Sequence, residues 1–173
     1  DGFYFFFDVT TPSPDVASSG DVREVLREHF DDWAPPVGDL IDRLDPSQVN
    51  NVAIHTHQPI DRLARGRVAV LGDAAHTTAP DLGQGGCQAM EDALVLAHYL
   101  RTTNIGVADA LRRYSDERAP RTAEVVTRAR RRADLTHGAD RAKTDAWYAE
   151  LAEEDGTHII DGICRTIEAG PCR

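Results

Sequence analysis

The pattern of apolar and polar positions divides the chain into short β-prone runs and longer amphipathic helices. The run at 3–9 is aromatic, and the run at 51–58 alternates apolar with polar side chains, so both are predicted strands. Helical spacing of apolar side chains predicts helices over 21–32, 107–135 and 140–153. This succession of elements indicates a mixed α/β chain.

The stretch 67–96, which reads RVAVLGDAAHTTAPDLGQGGCQAMEDALVL, contains the most informative sequence. Its first five residues, 67–71, predict a buried strand that breaks at Gly72, and a long helix is predicted to begin at about Gly85. Asp73 then stands at the carboxyl end of the strand, which is where open α/β sheets bind their ligands.

The loop GQGG at 83–86 carries little side-chain bulk, so a ligand can approach its backbone closely. The helix that follows directs unpaired N–H groups and a partial positive charge toward the same place. The pattern therefore predicts a site for a ligand with hydroxyls at one end and a developing negative charge at the other. Apolar residues at 89, 93, 94, 96, 97 and 100 predict that this helix is core on most of its sides.

Composition narrows the class of protein. The chain has 173 residues, 41% hydrophobic positions and a net charge of −10, which is typical of a globular domain and argues against a nucleic-acid partner. No apolar run reaches the roughly 20 residues that cross a bilayer. Three cysteines without metal-binding spacing are read as reduced thiols, which favours a cytoplasmic location.

The chain lacks a G-x-G-x-x-G motif after a strand, which is the usual site for the ADP half of a dinucleotide. It begins at Asp1 and opens directly into a strand-like run. We therefore expect it to be the C-terminal part of a longer polypeptide, with the missing N-terminal segment as its partner.

Several residues have two interpretations. His55 and His57 share a face of the predicted strand, where a polar sheet surface is favoured over a metal site because no third ligand is near. His76 stabilises a turn or serves as a base. Cys87 offers its backbone N–H or a reactive thiol at a helix start. Pro120 predicts a kink or a break in the long helix.

The stretch from Gly72 to Cys87 resembles the GD motif, the second FAD motif of class A flavoprotein monooxygenases. The variant GQGGC is similar to the branch of FAD-dependent urate hydroxylases. Further segments that resemble this branch are FYFFFDV at 3–9, WAPPV at 33–37, THGAD at 136–140, AWYAEL at 146–151 and IIDGIC at 159–164.

The resemblance implies roles for particular residues. Asp73 matches the aspartate that holds a ribityl hydroxyl of FAD, and Tyr4 matches a substrate-contacting tyrosine, although a core aromatic is the plainer reading of Tyr4. The residues that would lie along the isoalloxazine ring are Gly83, Gln84, Gly85, Gly86 and Cys87.

The resemblance also implies an activity, the hydroxylation of urate to 5-hydroxyisourate. FAD is then the cofactor, and NADH or NADPH and O2 are the co-substrates. The alternatives are a related hydroxylase of phenolic acids and a non-catalytic fragment without an ADP site. We expect residues 1–62 to belong to a substrate-binding sheet domain, 63–104 to an FAD-binding domain and 105–173 to a helical region.

Overall fold

A computed structural model describes residues 4–9, 20–102, 104–137 and 140–171 of the chain. The described residues form two compact units, 1–54 and 55–173, and each unit has its own hydrophobic core. None of the helices formed by these residues is long and apolar enough to cross a membrane. The mixed α/β class predicted from the sequence is confirmed.

The first unit is built on two helices, α1 (Val22–Phe30) and α2 (Val37–Arg43), followed by a 3₁₀ turn (Pro46–Gln48). The Asp21 side chain caps α1 by accepting from the backbone N–H of Arg23. The Arg23 guanidinium in turn donates to the carbonyl oxygen of Leu44 at 2.7 and 3.0 Å. The buried apolar side chains of this unit are Leu26, Phe30, Ile41 and Leu44.

The second unit begins with a small hairpin of β1 (Ala64–Arg65) and β2 (Val68–Ala69), which pair antiparallel. The helices that follow along the chain are α3 (Asp73–His76), α4 (Gly85–Arg101), α5 (Val107–Thr136), α6 (Arg141–Glu153) and α7 (Thr157–Glu168). A 3₁₀ turn (Pro80–Leu82) lies between α3 and α4. The core of this unit combines Leu63, Ala75, Val95, Tyr114 and Ala119.

Helix α5 holds the hairpin in place. The Ser115 hydroxyl accepts from the backbone N–H of Leu63 at 2.9 Å, and the Tyr114 hydroxyl donates to the carbonyl oxygen of Val70 at 3.0 Å. Burial, followed by the nearby Asp92 charge, raises the pKa of Tyr114 well above its ordinary value, so its hydroxyl keeps the proton that it donates. The end of β2 is therefore tied to the middle of α5.

The strand predictions were wrong in detail. No strand is present at 4–9 or 51–58 within the described part of the chain, and Phe3 lies outside it. The predicted buried strand at 67–71 is only Val68–Ala69, and the side chains of Val68 and Leu71 are 70% and 40% exposed. A strand needs partners for its N–H and C=O groups, and the described residues supply one two-residue partner.

Helix α4 also differs from its prediction. It begins at Gly85 as expected, but its buried side chains are Gln88, Asp92 and Val95, while Met90 is 67% exposed. The buried stripe has the helical spacing i, i+4, i+7, and most of it is polar. The prediction that α4 is core on most of its sides was therefore wrong, since Leu94 and Leu100 are 48% and 49% exposed and the buried face is mostly polar.

Of the kink or break predicted at Pro120, the break is absent. Helix α5 continues from Val107 to Thr136 with Pro120 inside it. Proline removes one N–H donor, but the packed face of α5 extends on both sides of that position. Tertiary packing of a 30-residue helix therefore outweighs the loss of one backbone bond.

Candidate functional site

The turn after β2 depends on a glycine. Gly72 has φ 57° and ψ −142°, a conformation that residues with a Cβ rarely adopt. Its N–H donates to Asp92 Oδ2 at 2.9 Å, so the turn is bonded to α4. The chain then enters α3 at Asp73, whose exposed carboxylate has no hydrogen-bond or ion-pair partner among the described residues. This carboxylate is free to accept hydrogen bonds from a ligand.

The loop that leads into α4 exposes its backbone. Gly83 is left-handed with φ 61°, and a Cβ added at Gly83, Gly85 or Gly86 would meet nothing within 4 Å. The N-cap residue Gln84 makes no side-chain hydrogen bond to the helix, so the N–H groups of the first turn have no cap. These donors, together with the helix dipole, favour a negatively charged group.

The same loop is anchored at the far end of α5. The Asp81 side chain is 6% exposed, and it accepts a hydrogen bond from Thr136 Oγ1 at 3.1 Å. His137 Nε2 lies 3.0 Å from the same carboxylate oxygen. The glycine-rich segment is therefore attached to α5 just before it enters α4.

A buried carboxylate lies behind the turn. Asp92 Oδ2 is 2.6 Å from His76 Nε2, and Asp92 Oδ1 accepts from Arg118 Nε at 2.8 Å. Burial alone would raise the pKa of the Asp92 carboxyl, but the hydrogen bonds from His76, Arg118 and the N–H of Gly72 outweigh it and hold that pKa below its ordinary value. Asp92 is thus ionised and can only accept, so His76 carries its hydrogen on Nε2.

Arg118 is the centre of this network and is 2% exposed. Besides Asp92, it donates through Nη1 to Glu91 Oε2 at 2.6 Å. Its Nη2 donates to Gln88 Oε1 at 2.8 Å and to the carbonyl oxygen of Gln88 at 3.2 Å. One planar guanidinium therefore bonds to three residues in the first two turns of α4.

Sequence reasoning missed this network. Glu91 and Asp92 suit the start of a helix as acidic residues, and the sequence alone does not connect either of them with Arg118. The available signal was the position of Asp92 four residues after Gln88 on one face of α4, and of Arg118 four residues after Tyr114 on the buried face of α5. Each helix therefore carries a charged residue at helical spacing from a buried one. Two such residues of opposite charge indicate a buried ion pair.

The structure favours one of the two interpretations of His76, and the sheet surface predicted for His55 and His57 was wrong because 51–58 forms no strand. His76 is 2% exposed and bonded to Asp92, which fits the turn-stabilising interpretation rather than that of a base facing substrate. His57 Nε2 accepts from the N–H of Thr77 at 3.4 Å. No group of three metal-binding side chains exists among the residues described.

Tyr4 lies in the first unit, with its side chain 85% exposed. Its ring packs edge to face on Phe6, with centroids 4.8 Å apart. The core-aromatic interpretation of Tyr4 does not fit this exposure. Its contact with a substrate stays a prediction.

Comparison with known proteins identifies the family of the chain. The family model described as "FAD binding domain" matches residues 11–129. The chain belongs to the FAD-binding domain family. The resemblance to class A flavoprotein monooxygenases is confirmed by this match together with the relatives described next.

Two urate hydroxylases are among the similar members of this family. The chain is 52% identical over 169 residues to the FAD-dependent urate hydroxylase of Klebsiella pneumoniae subsp. pneumoniae, covering 98% of the chain and 44% of the relative. It is 52% identical over 171 residues to that of Mycolicibacterium vanbaalenii, covering 99% and 43%. The chain thus spans less than half the length of these curated relatives.

A solved structure of the family is also similar. The structure of Klebsiella pneumoniae HpxO complexed with FAD and uric acid matches with a TM-score of 0.82 and 51% identity. The match covers 88% of this chain and 39% of that one.

The FAD-binding family's cofactor fits the residues present. The exposed carboxylate of Asp73 can accept from a sugar-alcohol hydroxyl, and the uncapped amides at 85–87 can donate to an anionic ring. The open space over the glycines leaves room for a flat group to approach the backbone.

Proposed function

We propose that the full-length protein is an FAD-dependent urate hydroxylase that uses NADH or NADPH and O2 in the cytoplasm. The observation that carries the proposal is the pairing of a free Asp73 carboxylate with uncapped α4 amides, in a chain about half identical to urate hydroxylases. In the reaction, one oxygen atom of O2 enters urate to give 5-hydroxyisourate and the other leaves as water, while the nicotinamide is oxidised.

FAD, when bound, supplies the redox chemistry of this reaction. Asp73 would accept a hydrogen bond from a ribityl hydroxyl and so help to hold the cofactor. The backbone N–H groups of Gly86 and Cys87 stabilise negative charge on the ring, as the donors of an oxyanion hole do. The Tyr4 hydroxyl bonds to the purine, and the urate anion is nucleophilic enough to need no strong protein base.

In the proposed division of labour, residues 1–62 contribute to the substrate-binding sheet domain. Residues 63–104 contribute the GD motif to the FAD-binding domain, and 105–173 form a helical region. The ADP half of FAD is assigned to a segment outside this chain, because the chain has no G-x-G-x-x-G motif.

The deciding experiment follows NADH oxidation by the full-length protein with FAD and O2, with and without urate. We expect urate to accelerate NADH loss and to be consumed in equal amount. If NADH is oxidised with H2O2 as the only product and urate is not consumed, the proposed flavin site stands and the proposed substrate is wrong. Turnover of a phenolic acid in place of urate would support the alternative hydroxylase, and no oxidation at all would support a non-catalytic protein.

Replacing Asp73 by alanine should weaken FAD retention. The variant loses an exposed charge-assisted hydrogen bond, which is worth about 1.5–3 kcal/mol, or roughly a tenfold to hundredfold rise in the FAD dissociation constant. The flavin content after gel filtration measures the effect, and Asp61→Ala, another exposed carboxylate of the same unit, is the control. Full flavin content in the Asp73 variant would contradict the role given to Asp73.

Replacing Tyr4 by phenylalanine should lower kcat/KM for urate by roughly 3- to 15-fold, because one hydrogen bond to the substrate is lost. FAD content should stay unchanged, since Tyr4 lies in the unit without the GD motif. The matched control is Tyr148→Phe, which removes the hydroxyl of a half-exposed tyrosine on α6. Equal values of kcat/KM for urate in the two variants would contradict a contact between Tyr4 and the substrate.

A further inference from the structure

Two separate segments face the proposed flavin, and the same buried side chain supports both. The turn at Gly72 and Asp73 is bonded to Asp92, and Asp92 is bonded to Arg118. The first turn of α4 is bonded to Arg118 through both the side chain and the carbonyl oxygen of Gln88. Arg118 therefore connects the carboxylate side of the site to its amide side.

Apart from the contacts of Asp81 with the end of α5, few side chains hold the exposed parts of the site. An added Cβ at Gly83, Gly85 or Gly86 would touch nothing, so side-chain packing does not fix this backbone. The Asp73 carboxylate is exposed and makes no bond to other described residues. The remaining support comes from beneath the site, where Asp92 and Arg118 are 0% and 2% exposed.

The chemistry of the network favours positioning over net stability. Burying an ion pair costs desolvation that its attraction barely repays, so such pairs are weak sources of stability. A guanidinium has five donors in one rigid plane, and Arg118 uses them on Asp92, Glu91 and Gln88 at once. This arrangement fixes the direction of each partner, which a flexible ammonium cannot do.

We propose that Arg118 is a positioning residue that holds the Asp73 turn and the first turn of α4 at the separation that the flavin requires. The proposal deepens the proposed function and rests on its assignment of FAD to this site. Arg118 itself is buried behind the site and acts only through Asp92 and Gln88. Its loss lets the two segments shift relative to each other, so both the affinity for FAD and the stabilisation of the reduced, anionic ring decline.

The matched control for Arg118 is Arg121, which lies about one turn further along α5. Arg121 is also nearly buried, and it donates to Glu91 at 3.3 and 3.4 Å and to the carbonyl oxygen of Thr166 at 2.7 Å. It does not bond to Asp92 or Gln88. Its replacement disturbs a buried arginine of the same helix without uncoupling the two flavin-facing segments.

The test compares Arg118→Lys with Arg121→Lys in the full-length protein and uses no urate. Lysine keeps the charge but not the planar fork. We expect Arg118→Lys to raise the FAD dissociation constant at least about tenfold, equivalent to about 1.4 kcal/mol. We expect Arg121→Lys to change it less than about twofold, even where both variants lower the melting temperature alike. At saturating FAD, the midpoint potential of the bound flavin should become more negative only in Arg118→Lys.

Other outcomes would overturn the proposal. One is an Arg118→Lys variant that binds FAD as the wild type does. Another is a loss of affinity in both variants that simply follows their loss of thermal stability. If Arg118→Lys does not fold, Gln88→Met takes its place, because it removes the shorter of the two bonds from Arg118 Nη2 to Gln88, at 2.8 Å against 3.2 Å to the carbonyl oxygen, and leaves the Asp92 bonds intact. An unchanged FAD affinity in Gln88→Met would then reject the proposal. If the full-length protein does not consume urate but the FAD affinities change as expected, only the proposed substrate is rejected.

Discussion

Replacing Asp92 by alanine is expected to lower the free energy of unfolding by about 3–5 kcal/mol, which is the usual cost of removing one partner of a buried ion pair. The variant leaves the Arg118 guanidinium buried beside one fewer carboxylate. It also leaves the N–H of Gly72 and Nε2 of His76 without their acceptor. Urea denaturation of the full-length protein, followed by tryptophan fluorescence, measures the change.

The control for this prediction is another ion pair that involves α5. Asp116 lies 3.2 Å from Arg112, but both side chains are at least 60% exposed. Water screens such a pair, so Asp116→Ala should cost less than about 1 kcal/mol. Equal losses in the two variants would mean that burial of the Asp92 network contributes nothing beyond an ordinary surface contact.

The Gly72→Ala variant is expected to lose about 2–3 kcal/mol of stability, chiefly from forcing a residue with a Cβ into a conformation that is almost reserved for glycine. The new Cβ would lie 3.4 Å from the Cβ of Ala89, so α4 leaves little room for relief. A shift of the turn would also lengthen the bond from the N–H of Gly72 to Asp92. Thermal unfolding and flavin content should therefore decline together.

Gly162→Ala is the matched substitution for Gly72→Ala. Gly162 lies inside α7, where an added Cβ comes no closer than 4.0 Å to Arg165 Nη2. Alanine is favoured over glycine in a helix, so this variant should gain about 0.5–1 kcal/mol. A Gly72→Ala variant as stable as the wild type would show that the turn can adopt another conformation.

Predictions that rest on local sequence agree well with the structure. The start of α4 at Gly85 follows from a glycine-rich loop before a helical pattern, and the Asp140 side chain caps α6 at the predicted start of that helix. Each of these signals involves residues within a few positions of one another. Asp73 and the glycine-rich loop were identified from such a local motif, and their contact with FAD stays a prediction.

Features that depend on distant residues could not be predicted in this way. The strand-like run at 51–58 has suitable alternation, but a strand forms only where another strand pairs with it. Arg118 lies 26 positions after its partner Asp92, and nothing in the residues around either one specifies the other. The buried face of α4 was misjudged for the same reason, because its polar residues face a charge on another helix.

The uninterrupted course of α5 limits where the length of this protein can change. Tyr114 is bonded to the end of the hairpin, Arg118 to α4, and Thr136 to the loop before α4, all from one helix. One residue inserted between Tyr114 and Thr136 would rotate everything beyond it by about 100° and advance it by about 1.5 Å. Every bond on one side of the insertion would then point away from its partner. Relatives that keep these bonds should therefore differ in length in segments such as 154–156, between α6 and α7, and not within α5.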